Sequence, residues 1–207
     1  MMAYLSLENA IRLHFDSILL YKNKSFGSAL HLSILALEEI GKSKSLEDYW
    51  WSSKVNSGQL PVDEEEKYLK LLYSHQWKQG AAIKWNPMDY SPKFISLIDE
   101  KKLEQKKQNS IYVGLPLKNG KIKYDSRIQS PFSIKSSEPK KIISLNNDIF
   151  LEMCYLNLAQ DGYFDIEIMD KLIGKKLQSK LRKYWGYKSG IKSKRWQKLW
   201  LEKFLHS

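Results

Sequence analysis

The chain has 207 residues, 43% of them hydrophobic, and a formal net charge of +11. That size and apolar content suffice for one good core and argue against disorder. A single cysteine, Cys154, excludes a disulfide framework, and four histidines (His14, His31, His75, His206) without an HExxH pattern or cysteine pairs exclude a recognisable zinc framework.

Ala3 to about Lys24 reads as a first helix, with Leu5, Ala10, Leu13, Ile18, Leu20 and Tyr21 at its apolar positions. After a turn over Asn23 to Gly27, a second helix runs from about Ser25 to Trp51. Its stretch ALHLSILALEEIGK is apolar around nearly the whole circumference, which marks a helix surrounded by neighbours. A polar connector with Gly58 and Pro61 leads to a third helix over about Glu64 to Lys84, capped by Asp63, with Tyr68, Leu71, Leu72 and His75 on one face. Ser91-Pro92 is a cap followed by proline at the first helical position, and opens a fourth helix to about Asn109. Asn119-Gly120 between two apolar-alternating runs predicts a small β-hairpin, or a loop imitating one, around residues 111–124. The whole insertion, with its aperiodic Ser/Pro/Gln segment, covers 111–139. Helix returns over about Lys140 to Gln160 and Asp165 to Tyr184, the latter with Leu172, Ile173, Leu177, Leu181 and Trp185 on one face. A final amphipathic helix carries Trp196, Leu199, Trp200 and Phe204. The expected organisation is a single mainly α domain over 1–207, with basic amphipathic helices over 171–207. No apolar stretch reaches the ~18 residues a membrane span needs, and no signal peptide is recognisable. The chain therefore reads as cytoplasmic, without integral membrane association.

The central helix carries charge where a buried helix should not. At 100° per residue His31, Leu35, Glu38 and Lys42 share one stripe and Glu39 sits one step aside. Glu38 and Lys42 are placed to pair at i,i+4. Burial makes such a pair costly, so it marks either a site or a device that fixes helix register.

Charge is also unevenly distributed. From Lys171 onward twelve Lys or Arg face Glu202 alone, whereas the first 170 residues are balanced. Tyr184, Trp185, Tyr187, Trp196 and Trp200 interleave with those cations, a composition that suits single-stranded nucleic acid. Lys183, Lys188, Lys192, Lys194, Arg195 and Lys198 are the candidate RNA contacts; a solvated basic face, or one drawn to an anionic membrane surface, has the same composition.

LALEEIGK on the second helix, His75-Gln-Trp-Lys78 on the third, and KQNSIYVGL with the downstream Pro131 resemble, in order, the AbiV-type abortive infection proteins, a branch of the HEPN superfamily. The resemblance covers roughly Ser25 to Pro131. It implies a HEPN-like helical bundle that forms a homodimer and acts in bacterial phage defence by shutting down the infected cell. Many HEPN proteins are metal-independent endoribonucleases with an arginine four to six residues before a histidine. None of Arg12, Arg127, Arg182 and Arg195 stands so, and Lys70 before His75 has the spacing without arginine's planar fork. The positions matching the AbiV-like pattern are Glu38, Glu39, Lys42, His75 and Lys78.

Metal-free RNA cleavage needs a base for the 2′-hydroxyl, an acid for the leaving oxygen and positive charge on the phosphate. His75 would be the acid or base, Glu38 or Glu39 its orienting partner, and Lys42 or Lys78 the phosphate clamp, with no metal and no cofactor. A core histidine bonded to a carboxylate uses the same residue types. If the second and third helices run antiparallel, His75 lies near the far end from Glu38, and a dimer would have to unite them. The expected function is an abortive-infection effector acting on RNA or translation, a candidate endoribonuclease, released by a phage-encoded activator. The alternative is a non-catalytic defence protein that binds a phage protein, RNA or ribosomes through a dimer groove and the basic tail.

Overall fold

The computed structural model describes residues 1–55, 62–83, 89–118, 121–159, 171–192 and 195–196. Among them, α1 (Met2–Lys22) and α2 (Phe26–Val55) form an antiparallel pair, followed by α3 (Val62–Leu71), α4 (His75–Ile83), α5 (Pro92–Asp99), α6 (Lys102–Asn109), strands β1 (Leu117–Lys118) and β2 (Lys121–Ile122), a 3-10 turn (Pro131–Ser133), α7 (Ser137–Ala159) and α8 (Lys175–Tyr184). The expected mainly α bundle with a small hairpin is what the chain forms.

The all-round apolar helix is central. α1, α4, α6 and α7 all pack on α2, as does the 3-10 turn. Buried Leu30, Ile34, Leu37 and Ile40 of α2 meet Leu7 and Ala10 of α1, Ala82 and Ile83 of α4, and Ile142, Leu145, Ile149 and Phe150 of α7. Each large side chain so enclosed contributes about 1.5–3 kcal/mol. Leu177 and Leu181 bury the apolar stripe of α8 in the same core, and Trp185 is buried with its indole N–H donated to Ser144.

Several boundaries differ from the sequence expectation. Val62 already lies in α3, so Asp63 falls within its first turn and not at the position before it. The expected third helix is two helices. At Leu72–Ser74 the amides of Leu72, Tyr73 and Ser74 bond three residues back, which tightens and ends α3. Ser74 then caps α4, its hydroxyl accepting from the Trp77 amide at 3.2 Å. The fourth helix is likewise split, at Lys101, which stands in the left-handed region with φ 56° between α5 and α6. Ser91 caps α5 as expected and accepts from the Phe94 amide, with Pro92 at the first helical position. β1 and β2 pair antiparallel with Leu117 opposite Ile122 and Lys118 opposite Lys121. α7 begins three residues before Lys140, and Pro139 is tolerated in its first turn. The expected helix over 165–184 is described only from Lys171 and is interrupted before α8 at Gly174, its N-cap. Most of the last amphipathic helix, with Lys194, Lys198, Leu199, Trp200 and Phe204, lies outside the described residues, as do Asn119 and Gly120.

Two glycines of α2 set its closest approaches. A Cβ at Gly27 would stand 2.6 Å from the Ser110 carbonyl and 2.9 Å from Pro131, which seats the start of α2 against the end of α6 and the 3-10 turn. A Cβ at Gly41 would stand 1.8 Å from the Lys78 carbonyl, so α2 and α4 touch backbone to backbone. That contact aligns the first turn of α4 with Glu38.

Candidate functional site

Glu38 is 1% exposed, on the face of α2 that α4 and α6 cover. An isolated carboxylate there would be prohibitively costly, and the fold surrounds it with donors. His75 Nδ1 lies 2.8 Å from Oε2, the Gln79 amide donates to Oε1 at 2.8 Å, and the Lys107 ammonium donates to Oε1 at 2.8 Å. Lys78 Nζ completes the ring at 3.8 Å from Oε2. His75, Lys78 and Gln79 stand at the first, fourth and fifth positions of α4. One helical turn therefore places all three over the carboxylate.

The splitting of the third helix makes this contact possible. Read through as one helix, His75 would lie far from Glu38 within a subunit. Restarting the helix at Ser74 puts His75 at the N-terminal turn of α4, and the two meet inside one chain. No dimer is needed to unite them.

Lys107, from α6, is the centre of the cluster. It is buried, and its ammonium also lies 2.7 Å from Glu104 Oε2 and 3.0 Å from His75 Nδ1. Its main chain is held as well: the Lys107 carbonyl accepts the Ser110 hydroxyl at 2.5 Å and lies 3.2 Å from His31 Nδ1. His31 and Glu38, two turns apart on α2, thus grip the backbone and the head group of one residue. Burial pushes the Glu104 carboxyl up, but hydrogen bonds from Lys107 and Gln108 and the nearby positive charge outweigh it and hold the group below the ordinary carboxylate value.

Glu38, His75 and Glu104 offer ligand atoms within 4.8 Å of one another, a spacing a metal ion could bridge. The Lys107 ammonium reaches all three and supplies the positive charge at that point.

His75 is the outlet of the cluster. Its side chain is 48% exposed, against 12% for Lys78 and 3% for Lys107. With a carboxylate at Nδ1, the hydrogen bond from Nδ1–H to Glu38 leaves Nε2 as the ring atom free to accept or give a proton. Beside it a groove of about 480 Å³ is lined by Ser74 and Gln76, the two neighbours of His75, with Leu71, Trp77, Ala81 and Asp99.

Glu38, His75 and Lys78 come together within one subunit, where the sequence leads us to expect a dimer to unite Glu38 with His75. Glu39 and Lys42 do not join them: among the described residues neither bonds to the cluster, and Glu38 takes its charges from α4 and α6, leaving no i,i+4 pair with Lys42. A family model, HEPN_AbiV, described as AbiV, matches residues 2–149. The chain belongs to the AbiV family of HEPN proteins. Comparison with curated proteins and with solved structures returns no match. The AbiV match contains every member of the cluster, from Glu38 to Lys107, and ends within α7. The basic segment after residue 170 lies beyond it.

Lys107, Glu104 and Gln79 are AbiV-cluster residues that the sequence reading passed over. Lys107 opens the KQNS run and follows Glu104 at i+3, the one available signal. Of the candidate RNA contacts, Lys183 and Lys188 are exposed. Arg195 stacks on Trp196 at 4.9 Å. Lys192 is mostly buried: it pairs with Glu152, and its backbone bridges to Tyr90. Lys194 and Lys198 lie outside the described residues.

Proposed function

We propose that this AbiV-family chain is an abortive-infection effector that acts on RNA, with His75 as the proton-transferring residue of a metal-independent endoribonuclease. The observation that carries the reading is the 2.8 Å contact between His75 Nδ1 and the buried Glu38 carboxylate, with half of the ring open to solvent. Glu38 orients the imidazole and stabilises it once protonated. Nε2 takes the ribose 2′-hydroxyl proton or delivers one to the leaving 5′-oxygen. Lys78 adds positive charge near the phosphate as negative charge grows there. Lys107 positions: buried among Glu38, Glu104 and His75, it sets its positive charge between the two carboxylates and holds them and the ring in place. The groove beside His75 offers space for a nucleotide.

The test is cleavage of end-labelled total RNA in excess chelator by wild type and His75→Ala, with and without extract of infected cells. Products ending in 2′,3′-cyclic phosphate that vanish in the variant are expected. Absence of cutting by either protein under all conditions would remove the enzymatic reading.

One observation favours a non-catalytic reading, in which a buried network serves as scaffold for binding a phage protein: Glu38 is saturated by four partners. There His75→Ala lowers melting temperature and defence together, whereas in the enzyme it abolishes defence and leaves the fold intact. In either case we propose a homodimer released by a phage-encoded protein, which co-purification from infected cells would recover.

A further inference from the structure

Several lysines of the described surface are answered by carboxylates. Lys70 pairs with Glu66, Lys102 with Glu100, Lys106 with Glu138 and Lys192 with Glu152. On one face lysines stand beside aromatic rings instead. Where the last turn of α1 meets the end of α8, Lys22, Lys180 and Lys183 form no ion pair among the described residues, and neither does Lys140 at the start of α7. Three of the four lie beside tyrosine rings. Lys22 and Lys183 stand 5.5 and 5.7 Å from the Tyr184 ring, and Lys140 stands 3.5 Å from the Tyr187 ring.

Both rings are presented outward, Tyr184 43% and Tyr187 50% exposed. Both are also braced from behind. Phe15 of α1 meets Tyr184 edge to face at 6.0 Å, and buried Trp185 meets Tyr187 at 5.0 Å and Tyr21 of α1 at 5.2 Å. Between Tyr184, Phe15 and Leu19 a cavity of about 380 Å³ opens, with Lys22 and Lys180 on its rim. Rigid aromatic faces next to unneutralised ammonium groups are what unpaired bases and their phosphates require.

We propose that this α1–α8 face binds single-stranded RNA, bases stacking on Tyr184 and Tyr187 while Lys22, Lys140, Lys180 and Lys183 contact the phosphates. The proposal rests on the reading of the chain as an RNA-directed effector and names where the strand is held. It takes the binding function away from the last segment of the chain, where Lys192 is committed to Glu152, and gives it to residues on three helices and the turn that follows α8. Stacking and backbone contacts carry no sequence information, so the site accepts any unpaired strand. A membrane surface is the poorer fit. Leu177 and Leu181, the apolar stripe of α8, are spent in the core, and the helix shows solvent its cations without the apolar face that inserts among lipids.

The experiment is fluorescence anisotropy with a short labelled oligouridine RNA, on a His75→Ala background so that the probe survives, over a range of salt. Tyr184→Ala should weaken binding roughly tenfold or more and Tyr184→Phe should restore it. Lys22→Glu with Lys180→Glu should weaken binding and flatten the salt dependence by about 1.4 in log–log slope, while Lys93→Glu, on the exposed side of α5, should do neither. Parent-like affinity in Tyr184→Ala, or equal effects of the Lys22/Lys180 pair and Lys93, overturns this site and leaves the RNA reading standing. No binding by the parent overturns both. Capture of the parent by phosphatidylglycerol vesicles but not by RNA, lost in Tyr184→Ala, overturns the site in favour of a lipid surface.

Discussion

Gly41 lies against the main chain of Lys78, so close that a methyl group on its Cα would stand 1.8 Å from the Lys78 carbonyl oxygen and 2.9 Å from the Ala82 amide. Neither neighbour can step aside, since both belong to the backbone of α4. Gly41→Ala should force α4 off α2, at a cost of about 1–3 kcal/mol or more, and carry His75 and Lys78 away from Glu38. Gly80, on α4 itself, has open space where its Cβ would go. Gly80→Ala should therefore raise stability by about 0.5–1 kcal/mol. Urea unfolding of the two variants provides the comparison.

Removing Lys107 should be far more damaging than removing an ordinary surface lysine. Lys107→Met leaves two carboxylates, Glu38 and Glu104, facing each other without the ammonium between them, and should cost about 3–5 kcal/mol. Adding Glu38→Gln and Glu104→Gln to the same chain should return much of that loss. If the triple variant is no more stable than Lys107→Met, the lysine acts through packing alone.

How much of this was legible in the chain depends on the kind of signal. The central helix could be read because burial on every side writes apolar residues on every side. The hairpin could be read because Asn-Gly is a local signal. The cluster could not be assembled in the same way, because two helix breaks position it and neither uses glycine or proline. Ser74 sits in a run whose apolar spacing continues across it, and serine is tolerated within helices as well as at their caps. Lys101 adopts left-handed backbone with a side chain that rarely does so. Without those breaks His75 points to the wrong end of its helix, and Lys107 looks like one more solvated cation among the charges of α6.

Acid should find a different weak point. His14 of α1 is fully enclosed, its Nε2 3.2 Å from the Asn147 side chain, and burial lowers its pKa from 6.5 to about 4 despite that hydrogen bond. Folding therefore favours the neutral ring. The stabilisation is present above pH 6.5 and is lost as pH falls from there toward about 4, an effect of about 3 kcal/mol. Chemical denaturation at pH 7 and pH 4.5 should show His14→Gln losing less stability between the two than the wild type does.

Lys192 makes an opposite prediction from its exposed neighbour Lys188. Reversal of charge at Lys192 sets a glutamate against Glu152 and should cost about 1 kcal/mol, whereas Lys188→Glu should leave the melting temperature unchanged. Equal melting temperatures would mean that the Lys192–Glu152 pair does not tether the chain after α8.

That tether reaches further than its own contacts. After α8 the chain doubles back, so that the Ser189 amide bonds to Asp148 of α7 at 2.9 Å and the Ile191 carbonyl receives the amide of Ser91, the cap residue of α5. The chain after α8 is thereby latched to the middle of the fold: Ile191 holds the start of α5, and α5 leads past the left-handed Lys101 into α6 and Lys107. A chain cut short before Ser189 would leave the start of α5 unfastened, and the looseness would travel along two short helices to the lysine on which Glu38 and His75 both depend.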